Sequence, residues 1–279
     1  MKLVTYRADG ERRAGVQTDE GVVDAAELLG IGTVSVRELI ASDRLGDLAG
    51  LVEKSGTEPI VDAELLPPLP DPDKIVCIGL NYRSHAAEAG IDPPEQPTFF
   101  AKFRNALAPP DATVELPAAS TRVDYEAEVA FVVGRRSKDV EPGEALDAVA
   151  GYMLLNDLSA RDLQFATPQW MPGKVFDGSA PCGPAIVTPD EAGAPDSISF
   201  TLDLNGERMQ DASTSDLVFS VAELVSRLSR WLTFEPGDIV STGTPSGVGS
   251  VRDPHVWLKP GDEIVISSPT LGELRTLIA

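Results

Sequence analysis

The residue types best able to do chemistry in this chain are two glutamates separated by one residue. Glu126 and Glu128 lie in VDYEAEVAF, residues 123–131, a stretch typical of a β-strand. Side chains two positions apart on a strand share one face, so both carboxylates are expected to point the same way. The apolar residues that follow indicate a buried face, where two like charges are costly unless a positive group compensates them.

A third carboxylate is available in GYMLLNDLSARDLQ, where Asp157 follows an apolar run and precedes a helical turn. Three converging carboxylates would suit a hard divalent cation, because such ions prefer oxygen ligands and Mg²⁺ keeps positions open for water and substrate. Taken alone, two glutamates at this spacing favour the solvated edge of a sheet. The apolar run after Glu128 favours the buried site without deciding between the two.

One histidine and one lysine could complete such a site. His85 and Glu88, in GLNYRSHAAEAG, are three residues apart on a short helix expected to end at Gly90. A carboxylate beside an imidazole suits a general base that acts on water. Lys174, in MPGKVFDGSAPCGP, could polarise a carbonyl or stabilise an enolate. Spacing alone favours an incidental pair on an exposed helix and an exposed loop lysine.

Composition limits the classes of partner. The 279 residues include 44 Asp and Glu against 23 Lys and Arg, a net charge of −21, so neither nucleic acid nor an anionic membrane is expected as a partner. The N-terminus lacks a signal-peptide pattern, and no stretch approaches the roughly 20 apolar residues that span a bilayer. The two cysteines, Cys77 and Cys182, fit a reducing compartment and core positions, so a cytoplasmic location is predicted.

Other catalytic signatures are absent from the sequence. It has no zinc cluster of the usual spacing, no GxSxG elbow, no P-loop lysine and no convincing dinucleotide fingerprint. His255 has no carboxylate partner at helical spacing and is assigned no role. The glycine-rich stretch STGTPSGVGS, residues 241–250, is equally compatible with a surface loop and with a ligand-contacting loop.

The elements that must position these residues are mostly short strands, so a mainly β fold with some α+β elements is predicted. Residues 1–65 are interpreted as a small α+β unit that starts with an Asp-Gly hairpin and continues with broken helical periodicity. Proline-rich residues 66–73 are predicted to link it to a larger domain, residues 74–279. The runs interpreted as strands are KIVCIGL, PTFFAKF, ATVELP, EVAFVVG, ISFTLDLNGERM, DIVSTGT and DEIVISS. A second hairpin is predicted at Asn205-Gly206, and a helix with a Ser220–Glu223 capping box is predicted in SVAELVSRLSRWLTF.

From about Lys74 to the C-terminus, seven stretches in this order resemble the fumarylacetoacetate hydrolase family. They are IGLNYRSHAAE, PTFFAKF, DYEAEVAFVVGR, GYMLLNDLSARDLQ, GKVFDGSAPCGP, LNGERMQDASTSDLVFS and PGDIVSTGTPSGVG. Each stretch is weak evidence alone, whereas the ordered set is very specific. The resemblance implies a catalytic domain with a rolled mixed β-sheet, a homodimer, and a bound Mg²⁺ or Mn²⁺.

The resemblance also implies a role for each residue that matches a family motif. The implied metal ligands are Glu126, Glu128 and Asp157, and the implied water-activating pair on a mobile lid is His85 with Glu88. Lys174 is implied to contact the substrate carbonyl and stabilise the enolate. The implied substrate contacts are Arg161, Gln164 and Thr244, and Thr242 shares the TGT motif with Thr244.

These roles predict a divalent-metal-dependent hydrolase that cleaves a carbon–carbon bond in a small anionic β-diketo acid, such as an acylpyruvate, through an enolate. Residues 165–172, which lack a substrate-contacting tyrosine of the family, and the extra N-terminal unit favour the bacterial diketo-acid branch. A decarboxylase or isomerase of oxaloacetate- or hydroxymuconate-type acids is the first alternative, and a non-catalytic dicarboxylate-binding protein is the second. Specificity is assigned to loops such as 89–98 and 165–173. Chelation of the metal is expected to lower stability, because the glutamates would repel each other.

Overall fold

Strands dominate the chain in a computed structural model that describes residues 1–42, 44–52, 54 and 56–279. The strands of these residues are β1 (Lys2–Ala8), β2 (Glu11–Thr18), β3 (Gly21–Asp24), β4 (Glu64–Leu65), β5 (Ile75–Gly79), β6 (Thr98–Lys102), β7 (Leu107–Ala108), β8 (Ala112–Val114), β9 (Val123–Asp124), β10 (Ala127–Val133), β11 (Val149–Asn156), β12 (Ser159–Ala160), β13 (Ala180–Val187), β14 (Ser199–Leu204), β15 (Glu207–Ser213), β16 (Ile239–Ser241), β17 (Glu263–Ser268) and β18 (Gly272–Ile278). The α-helices are α1 (Ala25–Leu29), α2 (Val36–Ala41), α3 (Leu45–Val52), α4 (Arg83–Ala89), α5 (Arg161–Gln164), α6 (Pro189–Ala192) and α7 (Val221–Trp231).

The strands form two large mixed sheets and one short two-stranded ladder. The first sheet has the order β3-β2-β1-β13-β11-β10-β16-β5-β6, with β4 on β1 and β7 on β13. The second sheet has the order β15-β14-β17-β18-β8, and β12 pairs with β9. Three of the pairings, β16 with β5, β13 with β7 and β18 with β8, are parallel, and the others are antiparallel. This arrangement confirms the predicted fold class, a mainly β protein with mixed sheets and some helices.

The N-terminal strands belong to the first sheet, which also contains strands of the predicted larger domain. Leu3 of β1 lies opposite Ile186 of β13, and one apolar cluster contains Leu3, Leu39 of α2 and Ala130 of β10. The predicted boundary between residues 1–65 and 74–279 stays a prediction. The broken helical periodicity of the first unit corresponds to α2 and α3, while positions 43, 53 and 55 lie outside the described residues.

The local signals for turns and for the long helix are confirmed. Asn205 and Gly206 have φ values of 53° and 81°, which a two-residue hairpin between β14 and β15 requires. Asp9 and Gly10 connect β1 to β2 in the same way, with φ values of 52° and 80°. α7 begins after Ser220, and both hydrogen bonds of its capping box are present.

All seven runs that were interpreted as strands contain strands, whereas the long strands β11, β13 and β18 were not among them. The sequence of β13, APCGPAIV, contains two prolines, which cannot donate to a ladder and so argue against a strand. The strand forms nevertheless, with an irregular register against β11 between Tyr152 and Leu154. Cys77 and Cys182 are both buried and unpaired, which confirms their placement in the core.

The segment after β11 supplies site residues as well as the core residues Leu158 and Ala160. Asp157 follows β11 directly, and β12 comes next and pairs with β9. α5 then begins at Arg161. None of the helices in the described ranges is long and apolar enough to cross a membrane.

Candidate active site

Two neighbouring strands bring the three predicted metal ligands together. Because Ala127 of β10 lies opposite Asn156 of β11, Glu126 just before β10 is adjacent to Asp157 just after β11. The N–H of Asp157 donates to the Glu126 carbonyl oxygen at 2.9 Å, which fixes this junction. Glu128 lies on β10 itself, so the expectation that both glutamates are strand residues is correct only for Glu128. In these residues, which we call the carboxylate triad, ligand oxygens lie within 4.8 Å of one another and the side chains are buried.

Three buried cations compensate the carboxylates. Lys174 Nζ lies 2.6 Å from Glu126 Oε2 and 2.8 Å from Asp157 Oδ2. Arg161 Nη2 lies 2.6 Å from Glu126 Oε1, and Lys102 Nζ lies 2.8 Å from Asp157 Oδ1. The prediction that the two glutamates repel each other without a metal took no account of these three cations. Removal of a metal ion is therefore expected to change stability less than the sequence alone indicates.

Glu128 is the carboxylate of the triad that the cations do not pair. No ion pair of the described residues includes it, and its Oε2 accepts hydrogen bonds from the Ser241 hydroxyl at 2.5 Å and the Gly243 N–H at 3.0 Å. Burial, together with the charges of Asp157 and Glu126, raises the pKa of Glu128 well above its usual range. The protein thus disfavours the anionic form of Glu128 until a further positive charge arrives.

Glu126 behaves in the opposite way. Burial would raise its pKa, but the charges of Arg161 and Lys174 outweigh burial and lower the pKa of Glu126 to about 2. Burial would likewise lower the pKa of Lys174, yet the neighbouring Asp157 and Glu126 raise it. Both groups therefore stay charged at neutral pH.

The donor set fits a hard divalent cation. Asp157 Oδ1 is buried and accepts no hydrogen bond of good geometry, although Lys102 Nζ is 2.8 Å away. With buried Asp124 added, four carboxylates face the three cations Lys102, Arg161 and Lys174, so the ionised cluster carries one net negative charge. A bound divalent ion would change the net charge of the cluster to +1, which suits an anionic substrate.

The histidine pair is held by the glycine-rich stretch. His85 Nδ1 lies 3.3 Å from Glu88 Oε2, and Glu88 Oε1 accepts a hydrogen bond from the Gly247 N–H at 2.9 Å. α4, which carries the pair, ends at Gly90 as predicted. Gly247 has a φ of 101°, and a Cβ there would lie 2.2 Å from the Met209 carbonyl oxygen. Only glycine fits that position, so part of the stretch 241–250 supports the histidine pair rather than forming a free surface loop.

The three predicted substrate contacts, Arg161, Gln164 and Thr244, lie beside the carboxylate triad. Arg161 Nη1 donates to Gln164 Oε1 at 3.1 Å, so the two side chains form one polar unit at the two ends of α5. The Thr244 hydroxyl donates to the Ala127 carbonyl oxygen and accepts from Gln210 Nε2. The hydroxyl proton of Thr244 is thus already donated to a backbone oxygen of the protein.

One cavity of about 320 Å³ joins these groups. Its lining includes His85, Glu126, Glu128, Asp157, Arg161, Gln164, Lys174 and Thr244, whereas Glu88 and Thr242 do not line it. A larger cleft of about 800 Å³ lies elsewhere and contains none of the predicted site residues. The structure therefore brings the predicted residues together, and the individual roles stay predictions.

Sequence reasoning missed two buried members of the cluster. Asp124 Oδ2 is 2.8 Å from Arg161 Nη2, and its two carboxylate oxygens accept the N–H groups of Gly249 and Ser250. The period-two pattern of DYEAE extends to Asp124 and could have revealed it. Lys102 is the last residue of β6 in the run PTFFAKF, and nothing in that run distinguishes a buried lysine from one at a solvated strand end.

With this site in place, comparison with known proteins defines the class. The profile described as fumarylacetoacetate (FAA) hydrolase C-terminal matches residues 74–279, so the chain belongs to the fumarylacetoacetate hydrolase family. The resemblance inferred from the sequence motifs is confirmed. Members of this family are enzymes that include hydrolases, isomerases and tautomerases.

Individual relatives point to more than one reaction. The chain is 38% identical over 293 residues to the fumarylacetoacetate hydrolase domain-containing protein 2 homolog of Dictyostelium discoideum, covering 98% of this chain and 96% of that protein. It is 41% identical over 216 residues to the mitochondrial oxaloacetate tautomerase FAHD2B of Bos taurus, covering 77% of this chain and 69% of that protein.

Solved structures share the whole fold. Fumarylacetoacetate hydrolase from Exiguobacterium antarcticum is 32% identical, with a TM-score of 0.83 over 100% of this chain and 99% of that one. Maleylpyruvate hydrolase from Sphingobium sp. SYK-6, solved with manganese(II) and pyruvate, is 28% identical, with a TM-score of 0.82 over 100% and 99% of the two chains.

Proposed function

We propose that the protein is a divalent-metal-dependent hydrolase that cleaves a carbon–carbon bond in an acylpyruvate or a closely related small β-diketo acid. The observation that carries this proposal is that His85, paired with Glu88, lines the same cavity as the carboxylate triad and Lys174. A cavity lined in this way places a general base that can act on water beside groups that can stabilise an anionic oxygen. The pyruvate and manganese(II) in the related maleylpyruvate hydrolase structure support the assignment, because pyruvate would be the product here.

The residues of the chain divide the reaction among them. Mg²⁺ or Mn²⁺ held by the carboxylate triad would act as a Lewis acid on the 2-oxo acid end of the substrate. Arg161 and Gln164 orient that end, and His85 takes a proton from water as the water oxygen bonds to the distal carbonyl carbon. The carbon–carbon bond then breaks with its electron pair going to the methylene carbon. Lys174 stabilises the resulting pyruvate enolate, which is protonated at that carbon and released with the carboxylic acid.

Replacement of His85 by alanine is expected to lower kcat for acylpyruvate hydrolysis by about 10²–10⁴-fold, the usual contribution of a general base. Mn²⁺ affinity should stay unchanged, because His85 does not belong to the carboxylate triad. Steady-state kinetics and isothermal titration calorimetry measure the two quantities. His255→Ala is the matched control, since His255 is exposed and does not line the cavity. An unchanged rate of hydrolysis in His85→Ala would contradict the role of His85 in activating water.

A second candidate is tautomerisation of oxaloacetate, favoured by the name of the 41% identical Bos taurus relative. It also passes through the enolate of a 2-oxo acid, here that of oxaloacetate itself, but no water adds to a carbonyl and the carbon–carbon bond stays intact. A panel of acylpyruvates, enol-oxaloacetate and hydroxymuconate-type acids, followed by loss of enol absorbance and by product analysis, separates the candidates. Pyruvate and a carboxylic acid indicate hydrolysis, and keto-oxaloacetate as the product indicates tautomerisation. Carbon dioxide indicates decarboxylation, and no conversion at all favours a dicarboxylate-binding protein.

We also propose that the protein is a homodimer. Support comes from the edge strand β6, where the exposed Phe99 stacks on the exposed Trp231 with ring centroids 5.6 Å apart. Exposed aromatic pairs at a sheet edge are typical of interaction surfaces. Light scattering after size exclusion tests the proposal, and a monomer at micromolar concentration would contradict it.

A further inference from the structure

The wall of the cavity changes from charged to apolar between its buried end and its mouth. Lys174 and Asp157 at the buried end are only 2% and 1% exposed. Phe165, Ile91 and Val251, which line the same cavity, are 68%, 50% and 40% exposed. The exposed fractions show that the charged groups lie deep and that large apolar side chains form the opening.

The apolar surface continues inward as far as Lys174. The ring of Phe100 lies 5.0 Å from Lys174 Nζ, and Trp170 packs edge-on against Phe100 with ring centroids 5.8 Å apart. Gly79 makes room for Trp170, because a Cβ at that position would lie 2.4 Å from the indole. A ligand held beside Lys174 therefore meets aromatic side chains on its way out.

The cations of the cavity are already paired inside the protein. Among the lining residues that the structure describes, the permanent cations are Arg161 and Lys174. Arg161 pairs with Asp124 and Glu126, and Lys174 pairs with Glu126 and Asp157. A carboxylate that entered the mouth would lose hydration without gaining a cationic partner there, which is unfavourable.

We propose that the part of the substrate remote from its 2-oxo acid end is uncharged and apolar, so that the protein selects acylpyruvates with alkyl or aryl acyl groups over substrates with a second carboxylate. This inference rests on the proposed function for the orientation of the 2-oxo acid end toward the carboxylate triad. The exposed side chains at the mouth then bury their apolar surface against the acyl group. The expected gain in kcat/KM is about fourfold per added methylene over the first few carbons.

A binding measurement tests the selection independently of turnover. Isothermal titration calorimetry in the presence of Mn²⁺ compares 2-oxohexanoate with 2-oxoadipate, which have the same chain length and differ at the remote end. We expect 2-oxohexanoate to bind at least about tenfold more tightly. Equal binding, or tighter binding of 2-oxoadipate, would overturn the proposal. If acylpyruvates are not hydrolysed but the binding preference is present, the proposed function fails while the selection holds.

Substitutions at the mouth place the selection on particular residues. Phe165→Arg puts a cation among the apolar side chains at the mouth and should reduce the preference for 2-oxohexanoate by at least about tenfold. The matched control is Phe103→Arg, because Phe103 is 51% exposed and does not line the cavity. Phe103→Arg should leave the preference unchanged. A preference that is the same in Phe165→Arg as in the unaltered protein would contradict an apolar mouth as its source.

Discussion

Replacing Lys174 with methionine is expected to lower kcat by about 10²–10³-fold while divalent-cation binding becomes tighter. The loss of rate follows because the ammonium is the donor placed to stabilise developing negative charge, and one such donor is worth about this factor. The gain in affinity follows because Lys174 Nζ lies 2.6 Å from Glu126 and 2.8 Å from Asp157, where it competes with a metal ion for the same carboxylates.

The same variant should have a less stable metal-free form. Removing one partner of a buried ion pair leaves an uncompensated charge and typically costs about 3–5 kcal/mol. Mn²⁺ titration, steady-state kinetics and thermal unfolding with and without Mn²⁺ give the three quantities. Lys138→Met is the control, because the Lys138 side chain is 40% exposed and lies outside the cavity. Weaker metal binding in Lys174→Met would contradict the competition between lysine and metal.

Replacing Glu128 with glutamine is expected to abolish metal-dependent turnover and to weaken Mn²⁺ binding by more than about 100-fold. Loss of a group that only orients a metal ligand costs about 10–100-fold in affinity, so loss of a ligand should cost more. The amide oxygen of glutamine can still accept the hydrogen bonds from Ser241 and Gly243. The local structure is therefore expected to survive.

The same replacement should stabilise the metal-free protein at neutral pH. Because the folded protein raises the pKa of Glu128, the carboxyl is protonated more readily in the folded state than in the unfolded chain. Its destabilising effect is absent below the unfolded pKa near 4.5 and grows as pH rises toward the folded pKa. The melting temperature of Glu128→Gln should thus exceed that of the unaltered protein by at least about 2–4 °C at pH 7, the shift that 1 kcal/mol gives.

The stability difference should shrink as the pH falls to 4.5, because Glu128 then becomes protonated in the unfolded chain as well as in the folded protein. Thermal unfolding of the chelator-treated proteins between pH 4.5 and pH 8 measures it. Glu141→Gln is the control, since Glu141 is exposed and does not line the cavity. A Glu128→Gln protein less stable than the unaltered one at pH 7 would contradict the electrostatic account of the triad.

Local patterns predicted the parts of this structure that depend on local interactions. The hairpin at Asn205-Gly206 and the capping box at Ser220 form as predicted, because their residues satisfy backbone requirements within a few positions. The strand-like runs are present for the same reason. β13 was missed, since its prolines argue against a strand and only pairing with distant strands overrides that local preference.

The charge balance of the site depends on contacts between distant residues, and spacing could not reveal it. Glu126, Glu128 and Asp157 could be grouped, because an apolar run next to each one indicated burial. The positions of Lys102 and Arg161 result from how β6 and α5 pack against that cluster. Nothing in the sequence around either residue distinguishes a buried cation from a surface one. The sequence therefore predicted a metal as the compensating charge, and the structure adds three protein cations.

The central claim is that one divalent cation on the carboxylate triad is required for conversion of a 2-oxo acid in this cavity. The direct measurement is turnover of an acylpyruvate by chelator-treated, dialysed protein during titration with Mn²⁺, with bound Mn²⁺ counted in parallel by electron paramagnetic resonance. We predict no turnover without metal, and activity that rises in step with one bound Mn²⁺ per chain. Full turnover by the metal-free protein, or Mn²⁺ binding that is unchanged in Glu128→Gln, would contradict the account.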